Sequence, residues 1–339
     1  MELANMETPA TATRPDRLQP APGLMLMHVR QSPHAHHLTQ EVIAWMDSYA
    51  LLSDREKRDR VLNMDIGVYA GYSYPSGSHA NVLVHAKYIV LWLLWDDFVV
   101  EKGGSASEAL YKVLSLREAP ASADTYMCAW WDLASDLRRR GSSPNAVERF
   151  ARSMRAWFEA AVLERESARP TGLKNFDDCF NRRLETIGMV PTAAELEICT
   201  GIVVPDSKQT RAILRDTCVI VGISNELVSH AKDHDWINLI NVYSQTHGCS
   251  IDDARNQLVE IHNRAVLSLD DKVNRSGGKV RAWGEMLQFC AEGFSYWHTV
   301  ASRYAGSRIM TTIVNPLDSA QRRAASSALR SEPGMGSPV

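Results

Sequence analysis

This chain is most informative first for what it lacks. None of its six cysteines sits in a Cys-x-x-Cys pair; Cys128, Cys179, Cys199, Cys218, Cys249 and Cys290 are scattered. That spacing argues against a zinc ribbon and, less strongly, against a disulfide framework. Neither sign of charge dominates: 37 Lys and Arg against 40 Asp and Glu give a formal net charge of −3. A nucleic-acid-binding surface is therefore not expected, and a hydrophobic content of 45% argues against disorder. The most apolar run, Tyr88 to Trp95, is far shorter than the ~20 residues a bilayer requires, so no stable membrane insertion is expected. The N-terminus lacks the basic-then-apolar order of a secretory signal. A soluble, reduced, cytoplasmic protein is the expectation, and 339 residues can bury a substantial core.

Strand patterns are missing as well. No run of alternating residues, βαβ rhythm, internal repeat or dividing linker appears. What is present is helical: Phe150, Met154 and Trp157 fall four and three apart, and Ala254, Leu258, Ile261, Ala265 and Leu269 keep the same period. Gly, Pro and Ser breaks at 74–77, 141–144, 169–172 and 276–278 separate the helices. The expected fold class is all-α, a single domain over 24–317 with about ten or more helices. Residues 1–23, with four prolines, read as a flexible arm, and 318–339 as a flexible tail.

Two polar clusters interrupt this apolar helical background. Asp96-Asp97-Phe98-Val99-Val100-Glu101 closes the apolar run that begins at Ala86. At about 100° per residue, Asp97 and Glu101 share a helix face and Asp96 lies about a quarter turn away. Asn225, Ser229 and Asp233 form a second stripe that drifts only ~40° per step, just after the apolar stretch Cys218 to Ile223. Oxygen donors of this kind suit Mg2+ or Mn2+ rather than zinc. Each cluster alone is equally compatible with a solvated helix face.

Together, and in this order, the clusters resemble the aspartate-rich and Asn-x-x-x-Ser-x-x-x-Glu motifs of the class I terpene synthases (terpene cyclases) of the microbial type. Asp233 stands where that family usually has Glu, one methylene shorter. Arg182-Arg183-Leu184-Glu185-Thr186-Ile187-Gly188 is similar to the family's diphosphate-sensing arginine, linker and helix break. Arg183 is the better match and Arg182 its competitor. Gly293 to Trp297 and Arg303-Tyr304 resemble a late Gly-x-x-x-Trp helix and an Arg-Tyr pair. The likeness spans roughly Met64 to Tyr304.

The resemblance implies a helical bundle around a central cavity, a homodimer or monomer, and ionisation of an isoprenyl diphosphate, with farnesyl diphosphate and a cyclic sesquiterpene expected. It implies three Mg2+ ions on Asp96, Asp97, Glu101, Asn225, Ser229 and Asp233, with Asp97 alternatively orienting Arg183. Arg183, Lys232, Arg303 and Tyr304 would donate to the pyrophosphate, since a guanidinium donates bidentately. Trp92, Phe98 and Trp297 would face the cation with aromatic rings. At Ile187 the break would bring a backbone carbonyl to the substrate. Each aromatic is equally a candidate for core packing, and each basic residue for a surface ion pair.

Three other readings compete. His230, His234 and Asp235 have zinc-site spacing, yet residue 231 is Ala where a metalloprotease helix needs Glu. A chain-elongating isoprenyl transferase would need a second aspartate-rich motif, for which Asp270-Asp271, followed by Lys272, is a poor match. A non-catalytic isoprenoid-binding protein would take up the ligand without releasing pyrophosphate.

Overall fold

The computed structural model describes residues 23–100, 106–140, 143–167, 175–230 and 238–301, with the backbone of 311–313. In chain order these form β1 (Leu24–Leu26), α1 (Ala35–Ser48), α2 (Arg55–Met64), α3 (Ile66–Ser73), α4 (His79–Trp95), a π-helical turn (Asp96–Val100) and α5 (Ser107–Leu114). Next come α6 (Thr125–Arg139), α7 (Pro144–Ser167), α8 (Phe176–Thr186), α9 (Met189–Thr200) and α10 (Lys208–Ser229). Last are α11 (Leu239–His247), α12 (Ile251–Arg275), α13 (Gly278–Val300) and β2 (Thr311–Ile313). The all-α expectation holds. One feature it did not contain is the parallel pairing of β1 with β2, Leu24 opposite Thr311 and Leu26 opposite Ile313. The proposed arm, up to residue 22, and the tail lie outside the described residues.

Local chemistry sets the helix starts. The side chains of Asp54, Ser78, Asn238 and Ser250 each accept a backbone N–H at the head of α2, α4, α11 and α12. Ser207 and Thr210 close a reciprocal capping box on α10. α4 is apolar nearly all round and buried along most of Val82 to Trp95, and α10 is buried along most of Ile213 to Ser229. Helices with that pattern belong at the centre. α10 packs on α12 and α13, α13 on α3, and α9 touches both α4 and α10. The two helices that carry the polar clusters are therefore the inner ones, and α9 ties them together. No helix among the described residues is long and apolar enough to cross a membrane.

Gly293 shows how closely the layers meet. A Cβ there would collide with the carbonyl oxygen of Tyr72, so only glycine lets α13 rest on the backbone of α3. One turn later Trp297 stacks on Tyr69 with ring centroids 3.8 Å apart, and its indole N–H donates to the Met64 carbonyl at 3.0 Å. Trp297 is only 1% exposed. The Gly-x-x-x-Trp pattern is thus a packing device, and Trp297, expected at the cavity wall, belongs to the core.

Half-buried Asn263 and buried Glu292 dock the first described residues. Asn263 accepts from the Met25 amide and donates to the Gly23 carbonyl, while a carboxylate oxygen of Glu292 accepts from the amides of Met27 and His28. Burial raises the Glu292 carboxyl to about 7, although His28 and the two amides oppose the shift. Stability from this group is full below about pH 4.5 and is lost as pH rises through about 7. His262 works in the opposite sense. Burial lowers it to about 4, so its contribution is lost as pH falls from 6.5 towards 4. Glu292→Gln should keep an acceptor for the amides but remove the first trend. Urea titrations should show the variant gaining up to ~3 kcal/mol on wild type between pH 4.5 and 7. A constant difference across that range would refute the assignment.

Candidate active site

The apolar run of α4 ends in the π turn, a widened geometry that often marks functional positions. Widening splits the two aspartates. Asp96 is half-buried, whereas Asp97 is 5% exposed and pairs with Arg60 of α2 at 2.9 Å. The same α2 face covers Phe98: Lys57 Nζ lies 4.9 Å and the Arg60 guanidinium 5.1 Å from its ring centroid. Two cations from α2 thus already engage the ring of Phe98, which was expected to face the substrate cation. Burial, and then Asp97, push the nearby Tyr126 phenol up to about 12.

Across from this turn, the end of α10 presents Asn225, half-buried, and Ser229, 4% exposed. Arg183 on the last turn of α8 joins them. It donates to Asn225 Oδ1 at 2.6 Å, pairs with Glu226 at 2.6 Å and lies 3.6 Å from Glu164 of α7. Burial alone would lower its pKa, but Glu226, then Glu164 and Asp96, raise it above the ordinary arginine value. Arg183 Nε is buried without a hydrogen-bond partner among the described residues, a donor still to be used. Arg182 instead makes a long 3.5 Å bond to the Leu163 carbonyl on the exposed side. The structure thus brings Asp96, Arg183 and Asn225 together.

Glu226 and Glu164 escaped the sequence reading. Glu226 also accepts from the Leu239 amide at 2.7 Å, while its own carbonyl accepts from Asn238 at 3.0 Å, which fastens the head of α11. Its position beside Asn225 was the available signal. Glu164 also accepts from the Thr186 hydroxyl at 3.1 Å and has no motif around it.

The break after α8 leaves one carbonyl over. The Thr186 carbonyl accepts from the Trp157 indole at 2.8 Å, and the Gly188 carbonyl accepts from the Thr192 hydroxyl at 2.8 Å. Pro191, four residues beyond Ile187, has no N–H to offer the Ile187 carbonyl. Gly188 takes φ +81°, and a Cβ there would meet the Trp92 ring at 2.5 Å, so glycine is required twice over. Trp92 is half-buried, and its indole N–H is buried without a partner among the described residues.

Glu101, Lys232, Asp233, Arg303 and Tyr304 lie outside the described residues, as do His234 and Asp235. Among the described residues no three His, Cys, Asp or Glu side chains converge as metal ligands. Asp96, Asn225 and Ser229 nevertheless offer carboxylate, amide and hydroxyl oxygen, a donor set suited to a hard divalent cation. Both ring nitrogens of His230 are engaged, with Asn241 at 3.0 Å and Arg255 at 3.4 Å, which speaks against zinc. Asp270 contacts His28 and Gln288, each at 3.3 Å, and Asp271 pairs with Arg275. Asp270 thus helps to dock the N-terminal segment, and Asp270-Asp271 is no second aspartate-rich motif.

Comparison with known proteins bears on the family and the fold. The family described as "Terpene synthase family 2, C-terminal metal binding" matches residues 87–267, which run from within α4 through the whole of α8, α9 and α10. The chain is 23% identical to (+)-(1(10)E,4E,6S,7R)-germacradien-6-ol synthase of Streptomyces pratensis over 273 residues, 74% of this chain and 76% of that protein. It is 24% identical to a (+)-T-muurolol synthase ((2E,6E)-farnesyl diphosphate cyclizing) of Roseiflexus castenholzii, covering 81% of this chain and 90% of that one. The crystal structure of the SVS_A2 protein from ancestral sequence reconstruction shares the fold, with a TM-score of 0.74 at 19% identity over 91% of this chain and 99% of that chain. The chain belongs to the terpene synthase family and is an enzyme of the class I, microbial type.

The Arg60–Asp97 pair is open to direct test. Arg60→Met would leave a buried carboxylate without its guanidinium and should cost about 3 kcal/mol in urea unfolding. Adding Asp97→Asn should recover at least about half of that loss. A cost below about 1 kcal/mol, the range of exposed pairs, would contradict a holding role for Arg60.

Proposed function

We propose that this enzyme ionises farnesyl diphosphate with the help of Mg2+ and cyclises the cation to a sesquiterpene, releasing pyrophosphate. The observation that carries this reading is the convergence of Asp96, Arg183 and Asn225 from three helices. Asp96, Asn225 and Ser229, together with Glu101 and Asp233, would hold the ions, three by family resemblance. When bound, the ions would take up negative charge on the departing pyrophosphate. Arg183 then donates to the pyrophosphate oxygens in a geometry an ammonium cannot copy, and Lys232, Arg303 and Tyr304 add further donors. Asp97, held by Arg60, steadies the turn that aims Asp96.

The organic end of the substrate meets different chemistry. The Ile187 carbonyl, unclaimed by the helix that follows, presents a partial negative charge to the developing cation. Trp92 offers an aromatic face beside it, which stabilises a cation without trapping it. The fifteen-carbon substrate is supported by the T-muurolol synthase relative, whose name specifies cyclisation of farnesyl diphosphate, and by further relatives described as sesquiterpene synthases. Nothing at Asp270-Asp271 favours the chain-elongating alternative.

Incubation with geranyl, farnesyl and geranylgeranyl diphosphates and Mg2+, followed by mass spectrometry of the volatiles, should give a C15 product from the farnesyl substrate. Chelation of the metal should abolish it. Asp96→Ala and Asn225→Ala should each lower turnover by ~10²-fold or more. Absence of any terpene product from all three substrates would sink the reading. Full turnover in both variants would instead overturn the site assignment.

A further inference from the structure

α4 and α9 run antiparallel and meet in a series of polar contacts that the proposed chemistry does not use. Asn81 donates to the Cys199 carbonyl at 2.8 Å, His85 Nδ1 lies 2.8 Å from Glu195 Oε2, and the Tyr88 hydroxyl lies 3.1 Å from Thr192 Oγ1. The fourth contact is Trp92 against the bare backbone of Gly188. Steps of four, three and four residues up α4 are matched by the same steps back along α9. The two helices are therefore in one defined register, with the Trp92–Gly188 contact at its upper end.

The inner contacts are sealed. His85 and Glu195 are 0% exposed, and Tyr88 and Thr192 are nearly as deep. His85 Nε2 reaches Ser73 at 2.8 Å, and the second Glu195 oxygen accepts from the Cys199 thiol at 3.0 Å. A buried polar pair of this kind contributes little that an apolar pair of the same shape would not. Its best-attested use is to specify register, because any slip leaves its members unpaired. What this register controls lies above it. One turn beyond Trp92, ~6 Å along the axis, α4 delivers Asp96. At the matching end of α9, the Thr192 hydroxyl grips the Gly188 carbonyl, next to the carbonyl of Ile187.

We propose that His85–Glu195 and Tyr88–Thr192 are positioning pairs that fix the height of the Ile187–Gly188 break against the aspartate-rich helix, and thereby set the product distribution. The proposal rests on the cyclisation reading above. The diphosphate end of the substrate is held from α4 and the cation is met from the 187–188 break. Sliding one against the other changes which carbon faces the carbonyl. Ionisation, which depends on Asp96, Arg183 and the metal donors, is left largely intact.

Thr192→Val keeps the shape but removes the hydroxyl bonds to both Tyr88 and Gly188, and Tyr88→Phe removes only the first. Val273→Ala, in the core between α12 and α13, controls for general loosening. Thr192→Val should shift the ratio of major to minor terpene products by ~threefold or more, with pyrophosphate release within ~threefold of wild type. Tyr88→Phe should move the ratio in the same direction by less. In the metal-free protein, amide exchange over residues 187–193 should rise in Thr192→Val, and Val273→Ala should change neither readout. A wild-type product ratio in both ladder variants, or an equal shift in Val273→Ala, would overturn the proposal. A wild-type enzyme that made no terpene would instead defeat the functional reading. The exchange data would still judge the register, and unchanged exchange over 187–193 would reject it.

Discussion

A single guanidinium holds the proposed site together. Arg183 lies among Glu226, Glu164 and Asp96 and donates to Asn225, so four elements (the π turn, α7, α8 and α10) answer to one charge. Burying that charge is costly unless carboxylates surround it, and carboxylates gathered so closely are equally costly without it. Mutual dependence of this kind fixes where α8 ends and where α10 presents its donors. In the proposed site an arriving diphosphate would compete for the same N–H groups, so a site arranged this way could respond to its substrate.

Much of this was legible in the sequence, for identifiable reasons. Helical period and breaks gave the all-α class, because an apolar stripe is a local property of the chain. Asp96, Arg183 and Asn225 were singled out by the order of their motifs along the chain, and the structure brings the three near one another. Gly293 and Trp297 were noticed for their pattern, but their role depends on α3, more than two hundred residues away. Phe98 was read for its ring, while the cations on that ring come from α2. Asp97 was expected at a metal or at Arg183, and its partner Arg60 lies in a stretch with no motif at all. The pairing of β1 with β2 was invisible, since three-residue strands at opposite ends of the chain carry no periodic signal.

The core is more polar than the composition suggests, and its polar groups have definite places. Glu292 and Asn263 dock the N-terminal segment, the Arg60–Asp97 pair steadies the π turn, and the His85–Glu195 pair sits in the α4–α9 seam. Each lies where two elements must meet in one alignment. Apolar packing supplies most of the free energy but tolerates small slips, whereas a paired buried carboxylate does not. An enzyme that must hold a reactive cation in one shape has reason to keep such pairs.

The central claim is that Arg183 and the oxygen donors around it form a metal-dependent diphosphate site. Calorimetric titration of the full-length protein with inorganic pyrophosphate, with and without Mg2+, tests it without relying on turnover. The account predicts binding that requires Mg2+ and weakens about tenfold or more in Arg183→Lys, which keeps the charge but loses the paired donors. Equal affinity with and without the metal, or an unchanged affinity in the lysine variant, would contradict it.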